Sequence, residues 1–261
     1  MADTDRILHT VDTRESGAVH TVTVNNPDKL NILDSATIRA LRATLNAAAE
    51  RADARVVVLR GAGERAWIGG ADIREMAALD ADSAVAFIRR LQQLCQCLRE
   101  LPVPVIAAIR GYCLGAGLEV AACCDLRLAA AGARFGMPEV RVGLPSVIEA
   151  AVLPRLVGIG HARDLVMSAR IVEAEEAAHW GLLDALVPGG ELDALVETRV
   201  AQILAGAPHA MRAQKKLCRA WEEQPLSDAI ETGVRAFGAA FRSSEPRTYL
   251  NRFLERKGSA T

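Results

Sequence analysis

PVIAAIRGYCLGAGLEVAACCD, residues 104–125, is the stretch that decides the fold. Val105–Ile109 is a short run of β-branched and small apolar residues, the composition of a strand buried on both faces. Pro102 and Pro104 stop any helix arriving from the N-terminal side. Behind the strand, R-G-Y-C-L-G-A-G-L-E puts Gly111, Gly115 and Gly117 in a turn that opens a helix near Gly115 or Ala116. A helix start carries backbone N–H groups without intrahelical acceptors and a partial positive field, so it can hold an oxyanion. Glu119 then lies in the first turn, on the side of the free Ala116 N–H, and the two face one pocket. The same residues have plainer uses: G-A-G permits close helix packing, and Glu119 complements the helix dipole. A dinucleotide site is a weak match, because the third glycine of G-x-G-x-x-G is missing, as is an acidic residue ending the next strand.

Toward the N-terminus, residues 18–24 (A-V-H-T-V-T-V) alternate as a half-buried strand does, and Asn25-Asn26-Pro27-Asp28 ends it with turn chemistry. Asp34 is the expected N-cap of a helix reaching about Ala52, with Ile38, Leu41, Leu45 and Ala48 at helical spacing. Residues 56–59 (V-V-V-L) predict a second strand buried on both faces. A glycine-rich turn follows it, in which Gly69-Gly70 lets backbone approach a ligand and Asp72 caps the next helix. A plain capped loop would have the same sequence. Phe87, Ile88, Leu91, Leu94, Cys95 and Leu98 then stripe a helix that ends before Pro102. Toward the C-terminus, Leu126–Ala130 predicts another short strand. Beyond Gly132 the pattern turns helical: residues 147–157, 161–168 and 173–180, then three or four amphipathic helices from 191 to 257. The rhythm predicts an α/β body of about 200 residues continued by a helical C-terminal portion.

Composition removes several function classes. Of 261 residues half are apolar, and a net charge of −1 leaves no basic stripe for a nucleic-acid backbone. The six cysteines (Cys95, Cys97, Cys113, Cys123, Cys124 and Cys218) form no C-x-x-C pair and read as reduced core residues. The five histidines are scattered without H-x-x-x-H, so no metal site is expected. Met1-Ala-Asp-Thr-Asp-Arg has no apolar leader, and no apolar run has the length of a membrane span; a cytoplasmic location is expected.

N-P-D-K-L-N-I-L (26–33), A-W-I-G-G-A-D-I-R-E-M (66–76), the 104–125 stretch and F-G-M-P-E-V (135–140) stand in the order and spacing of the enoyl-CoA hydratase/isomerase, or crotonase, family. The chain resembles that family over essentially its whole length, including A-x-x-x-G-L-L-D-A-L-V at 177–187. The resemblance implies a crotonase-like α/β fold, a ββα-superhelix core (1–200) carrying an acyl-CoA site, with a helical oligomerisation region (201–261) in the same fold. It implies that the backbone N–H groups of Ala71 and Ala116 form an oxyanion hole for a thioester carbonyl. Glu119 and Glu139 match the two acids of the hydratases. CoA, as part of the substrate, would be held around Lys29, Leu30, Ala71, Asp72, Ile73, Arg74 and Gly115, with Arg256 and Lys257 reaching a neighbouring subunit's ligand. No other cofactor is implied. The implied reaction, one of fatty acid metabolism, is hydration of a trans-2-enoyl-CoA to a 3-hydroxyacyl-CoA in a homotrimer or homohexamer. Enoyl-CoA isomerisation or another thioester-enolate reaction is the alternative, and a noncatalytic acyl-CoA-binding relative is a second.

The helix N-terminus is expected to keep Glu119 charged and fit to act as general base, while an apolar loop raises the pKa of Glu139, the general acid. The chain departs from common hydratases after the second acid. Residues 142–154 (V-G-L-P-S-V-I-E-A-A-V-L-P) lack the glycines of P-G-A-G-G-T-Q-R-L, whose backbone helps hold the catalytic water. Glu149 falls where relatives have a small residue; an ion pair with Arg141 or Arg155 is expected, or else contact with a polar acyl group or water. Trp67, where relatives often have Phe, is expected to narrow the acyl pocket. Residues 244–249 lack the E-G pair common before the terminal helix.

Overall fold

A computed structural model describes residues 6–258, with side chains through Glu255; residues 1–5, where no apolar leader was expected, and the side chains of Arg256 and Lys257 lie outside the described residues. Strands β1 (Ile7–Arg14) and β2 (Gly17–Val24) form an antiparallel hairpin, and helix α1 (Ser35–Glu50) follows. Asp34 caps α1 as expected, its carboxylate accepting the Thr37 N–H at 2.7 Å, and Ile38, Leu41, Leu45 and Ala48 form its buried stripe. Next come β3 (Ala54–Gly61), β4 (Ala66–Ile68), the one-turn α2 (Ile73–Met76), α3 (Ala81–Glu100), β5 (Val105–Ile109) and β6 (Tyr112–Leu114). The chain continues through α4 (Ala116–Ala122), β7 (Leu126–Ala130), β8 (Arg134–Gly136), α5 (Leu153–Ser168), β9 (Ile171–Glu173), α6 (Ala174–His179) and β10 (Ala185–Val187). Four helices close it: α7 (Leu192–Ala205), α8 (Pro208–Glu223), α9 (Leu226–Ala240) and α10 (Glu245–Gly258).

The strands form two sheets. One has six strands in the order β1-β2-β3-β5-β7-β10, parallel except for the hairpin; the other has four, β4-β6-β8-β9. The apolar run in β3 has its explanation here. Val57 and Leu59 point into the main core with α1 and α3, while Val56 and Val58 point the other way, under Leu192, Val196 and Val200 of α7. Each such side chain, fully buried, contributes roughly 1.5–3 kcal/mol. Helix α8 is pinned by a buried lysine: Lys215 Nζ donates to the Leu98 and Val103 carbonyls and pairs with Asp125 Oδ2 at 2.7 Å.

Several sequence expectations need correction. The helix expected over 147–157 is two segments: a 3-10 turn over Ile148–Val152, and then α5, which runs on to Ser168 with non-helical backbone at Gly158. Leu156 and Val157 continued the apolar pattern, but Gly158 has φ 78° and interrupts the helix there. Cys218 is exposed, while the other five cysteines are buried, and all six are free. No helix among the described residues is long and apolar enough to cross a membrane.

Candidate active site

The two glycine turns meet because their strands pair. β4 and β6 are parallel, with Ala66 opposite Tyr112 and Ile68 opposite Cys113, so Gly69-Gly70-Ala71 and Leu114-Gly115-Ala116 leave the sheet side by side. Gly117 presses α4 against the first turn; a Cβ there would fall onto the Ile68 carbonyl oxygen. Gly115 has φ 53°, which favours glycine, and passes beneath Glu139, whose Oε1 would lie 2.5 Å from a Cβ at 115.

Backbone geometry leaves a donor free in each turn. Ala71 bridges Leu33 in parallel fashion through its neighbours: the Leu33 N–H donates to the Gly70 carbonyl, and the Asp72 N–H donates to the Leu33 carbonyl. The Ala71 N–H therefore points away from that bridge. Ala116 is the first residue of α4, where an N–H has no intrahelical acceptor. Both residues line a cavity of about 730 Å³, with Gly115, Glu119 and Glu139 on its wall and Ile73, Phe87 and Leu91 among its apolar lining.

The two carboxylates differ in setting. Glu119 is 3% exposed and accepts the Ala150 N–H at 3.3 Å. Burial, then the negative charge of Glu139, pushes its pKa up to about 8, opposed by the Ala150 N–H. The expectation of a charged Glu119 is thus corrected: α4 has only seven residues, and desolvation with a like-charged neighbour outweighs its dipole. Glu139 begins the 3-10 turn Glu139–Val142, is half-buried, and accepts the Ser146 hydroxyl on Oε2 at 2.7 Å. Sequence reasoning missed Ser146 and the Ala150 N–H. Their partners lie seven and 31 residues away, and only the folded loop brings them in.

The remaining expected site residues are not all on the cavity wall. Ile73 lines the cavity; Lys29, Leu30, Asp72 and Arg74 do not. Leu30 is nonetheless joined to the donor turn, its carbonyl accepting the Gly69 N–H at 2.8 Å, and Lys29 precedes it on an exposed 3-10 turn. The Asp72 carboxylate is engaged in capping α2, taking the N–H groups of Arg74 and Glu75. Arg74 itself is exposed. Trp67 is not on the wall, contrary to expectation: it is buried in the core, and its indole N–H donates to the Leu59 carbonyl. Glu149 pairs with neither arginine. Arg155 instead donates to the Glu222 carbonyl, and Glu149 Oε2 is buried without a hydrogen-bond partner.

A family model described as enoyl-CoA hydratase/isomerase matches residues 14–260. The short-chain-enoyl-CoA hydratase of Clostridium acetobutylicum is 32% identical over 251 residues, covering 96% of each chain. The crotonyl-CoA hydratase of Syntrophomonas wolfei is 32% identical over 90% of each. Among solved structures, an enoyl-CoA hydratase from Mycobacterium smegmatis superposes with a TM-score of 0.90 at 29% identity, covering 95% of this chain and 96% of that one. The chain belongs to the enoyl-CoA hydratase/isomerase family. Its crotonase fold and its standing as an enzyme of that family agree with the sequence reading.

Proposed function

We propose that the chain hydrates a trans-2-enoyl-CoA to a 3-hydroxyacyl-CoA. The observation that carries this reading is the convergence on one apolar cavity of two unbonded backbone N–H groups and two carboxyl groups. The thioester oxygen accepts from Ala71 and Ala116, which draws electron density from the β-carbon. Each such donor, aimed at developing negative charge, is worth roughly 3–4 kcal/mol of barrier. Glu119 takes a proton from water as the water oxygen bonds to the β-carbon. The two carboxyl groups share one proton: in the reactive form it lies on Glu139, held by Ser146, which gives it to the α-carbon as the enolate collapses, and the proton that Glu119 took from water then passes back to Glu139, so one water is consumed and no redox change occurs. A base whose pKa lies near the working pH is stronger than an ordinary carboxylate and still ionised in part. In this reading Lys29, Leu30 and Arg74 face the nucleotide and arm of CoA, while the turn around Gly115 and Ala71–Ile73 receives the thioester end.

Exposed apolar side chains on the C-terminal helices, among them Leu226, Ile230, Val234 and Phe237 on α9, support a homotrimer or homohexamer. Six free cysteines suit a reducing, cytoplasmic compartment.

The test is incubation with crotonyl-CoA and a panel of branched, polar and 3-enoyl thioesters, following conjugated-thioester absorbance and product mass. Gain of one water by 2-enoyl substrates is expected; mass-neutral conversion of 3-enoyl substrates alone would make the chain an isomerase, and binding without turnover a carrier. Glu119→Gln and Glu139→Gln should each slow hydration by roughly 10²–10⁴-fold. In a saturated acyl-CoA, α-proton exchange should be lost with Glu139→Gln; exchange lost only with Glu119→Gln reverses the two roles.

A further inference from the structure

The loop after the second acid reaches back to hold it. Glu139–Val142 is a single 3-10 turn. Gly143 ends it at φ 79°, and the Leu144 N–H donates to the Glu139 carbonyl at 3.2 Å. This reversal brings Ser146 to the Glu139 side chain, where its hydroxyl donates to Oε2 at 2.7 Å. The other oxygen, Oε1, lies over Gly115, so close that a Cβ there would meet it at 2.5 Å. Gly115 is fixed in turn, its N–H donating to the Gly136 carbonyl at 2.9 Å. Among the described residues no other hydrogen bond reaches the Glu139 carboxyl group. The two oxygens are therefore unlike: one is tied to the loop, and the other stands at the glycine turn on the cavity wall, beside the Ala116 donor.

We propose that Ser146 is a positioning residue that assigns the two oxygens their tasks, Oε2 accepting from the hydroxyl and Oε1 carrying the proton that reaches the α-carbon. A protonated carboxyl group has one O–H donor, and its carbonyl oxygen remains an acceptor. A proton on Oε2 would point at Ser146 and be spent within the protein. With the proton on Oε1, the Ser146 bond and delivery to substrate are satisfied together. Without the hydroxyl, no hydrogen bond among the described residues keeps the carboxyl group from turning. Displacing a reacting group by about 1 Å costs on the order of 10²-fold in rate. Ser146 belongs to the stretch that lacks the glycines of common hydratases, so the altered loop supplies this hold with a side chain. The inference rests on the hydratase reading for the reaction it serves.

The experiment compares Ser146→Ala and Ser146→Thr with the parent on crotonyl-CoA, in H2O and in D2O. In Ser146→Ala, kcat should fall roughly 10–10²-fold with KM held within about twofold. The solvent deuterium effect on kcat should rise, because proton delivery becomes the slow step. Ser146→Thr, which keeps the hydroxyl, should recover most of the rate. A parent-like kcat in Ser146→Ala, or an equal loss in Ser146→Thr, overturns the proposal. Should Ser146→Ala not fold, Ser146→Gly, which also lacks the hydroxyl, is read the same way. Two readouts need no hydration. Exchange of the α-proton of butyryl-CoA should fall in Ser146→Ala by the same factor as kcat. In protein labelled with ¹³C at glutamate Cδ, the Glu139 signal, assigned by its loss in Glu139→Gln, should move in Ser146→Ala and stay near the parent's in Ser146→Thr. If these changes occur in a protein that hydrates nothing, the hydratase reading fails while the role of Ser146 stands; an unmoved Glu139 signal overturns that role.

Discussion

Glu119 shows how a residue's position in sequence can give its identity and mislead about its charge. Its place in the first turn of a helix is legible from the glycines around it, and the helix does start at Ala116. Its ionisation was not legible, because desolvation and the nearness of Glu139 come from chain segments that meet only in the fold. The consequence for stability has a definite sign. An unfolded glutamate titrates near 4.3 and the folded one at about 8, so between these values the folded state holds the extra proton. Protonated Glu119 therefore favours folding most fully below the lower value, and that contribution is lost as pH rises through about 8. Glu119→Gln should then unfold at higher urea than the parent at pH 9, by on the order of 2–4 kcal/mol, with the gap closing toward pH 5. Urea titrations at three pH values check this. The rate is expected to carry the same signature, the acid limb of kcat/KM for hydration having its midpoint near 8.

Among the elements, the long ones were legible and the short ones were not. Strands Val105–Ile109 and Leu126–Ala130 appear with the bounds read from their apolar runs, and α1 and α3 follow their 3.6-residue stripes. β4, β6, β8, β9 and β10 have three residues each, too few for a period to show, and β1 exposes most of its length. Yet β4 and β6 are what set the donor turns side by side. Gly117 is the joint between them, and its lack of a side chain is a packing requirement. Gly117→Ala should push α4 off the Ile68 carbonyl, costing about 1–3 kcal/mol of stability and lowering kcat roughly 10²-fold through displacement of the Ala116 donor. Thermal unfolding and steady-state rates measured on the same preparation would test both halves. An unchanged rate in a folded Gly117→Ala would mean that the two turns need not touch.

For the whole molecule, the C-terminal helices pose the question the single chain leaves open. Lys215 ties α8 to the core through Asp125, whereas α9 and α10 expose Phe237 and Phe253 at 71% and 57%. Such faces are expected to be covered by copies of the chain. Phe237→Glu together with Val234→Glu should shift sedimentation from a trimer or hexamer toward the monomer and make unfolding less dependent on protein concentration. A monomeric parent would overturn that expectation.

Both donors of the candidate oxyanion hole belong to the main chain, and this bears on how such a gene can change. Nearly every missense substitution at codons 71 or 116 leaves the N–H in place, proline being the exception. The carboxylates at 119 and 139 have no such protection, since one altered codon removes either. Descendants of this sequence can therefore exchange one reaction for another while inheriting the polarising half of the site intact.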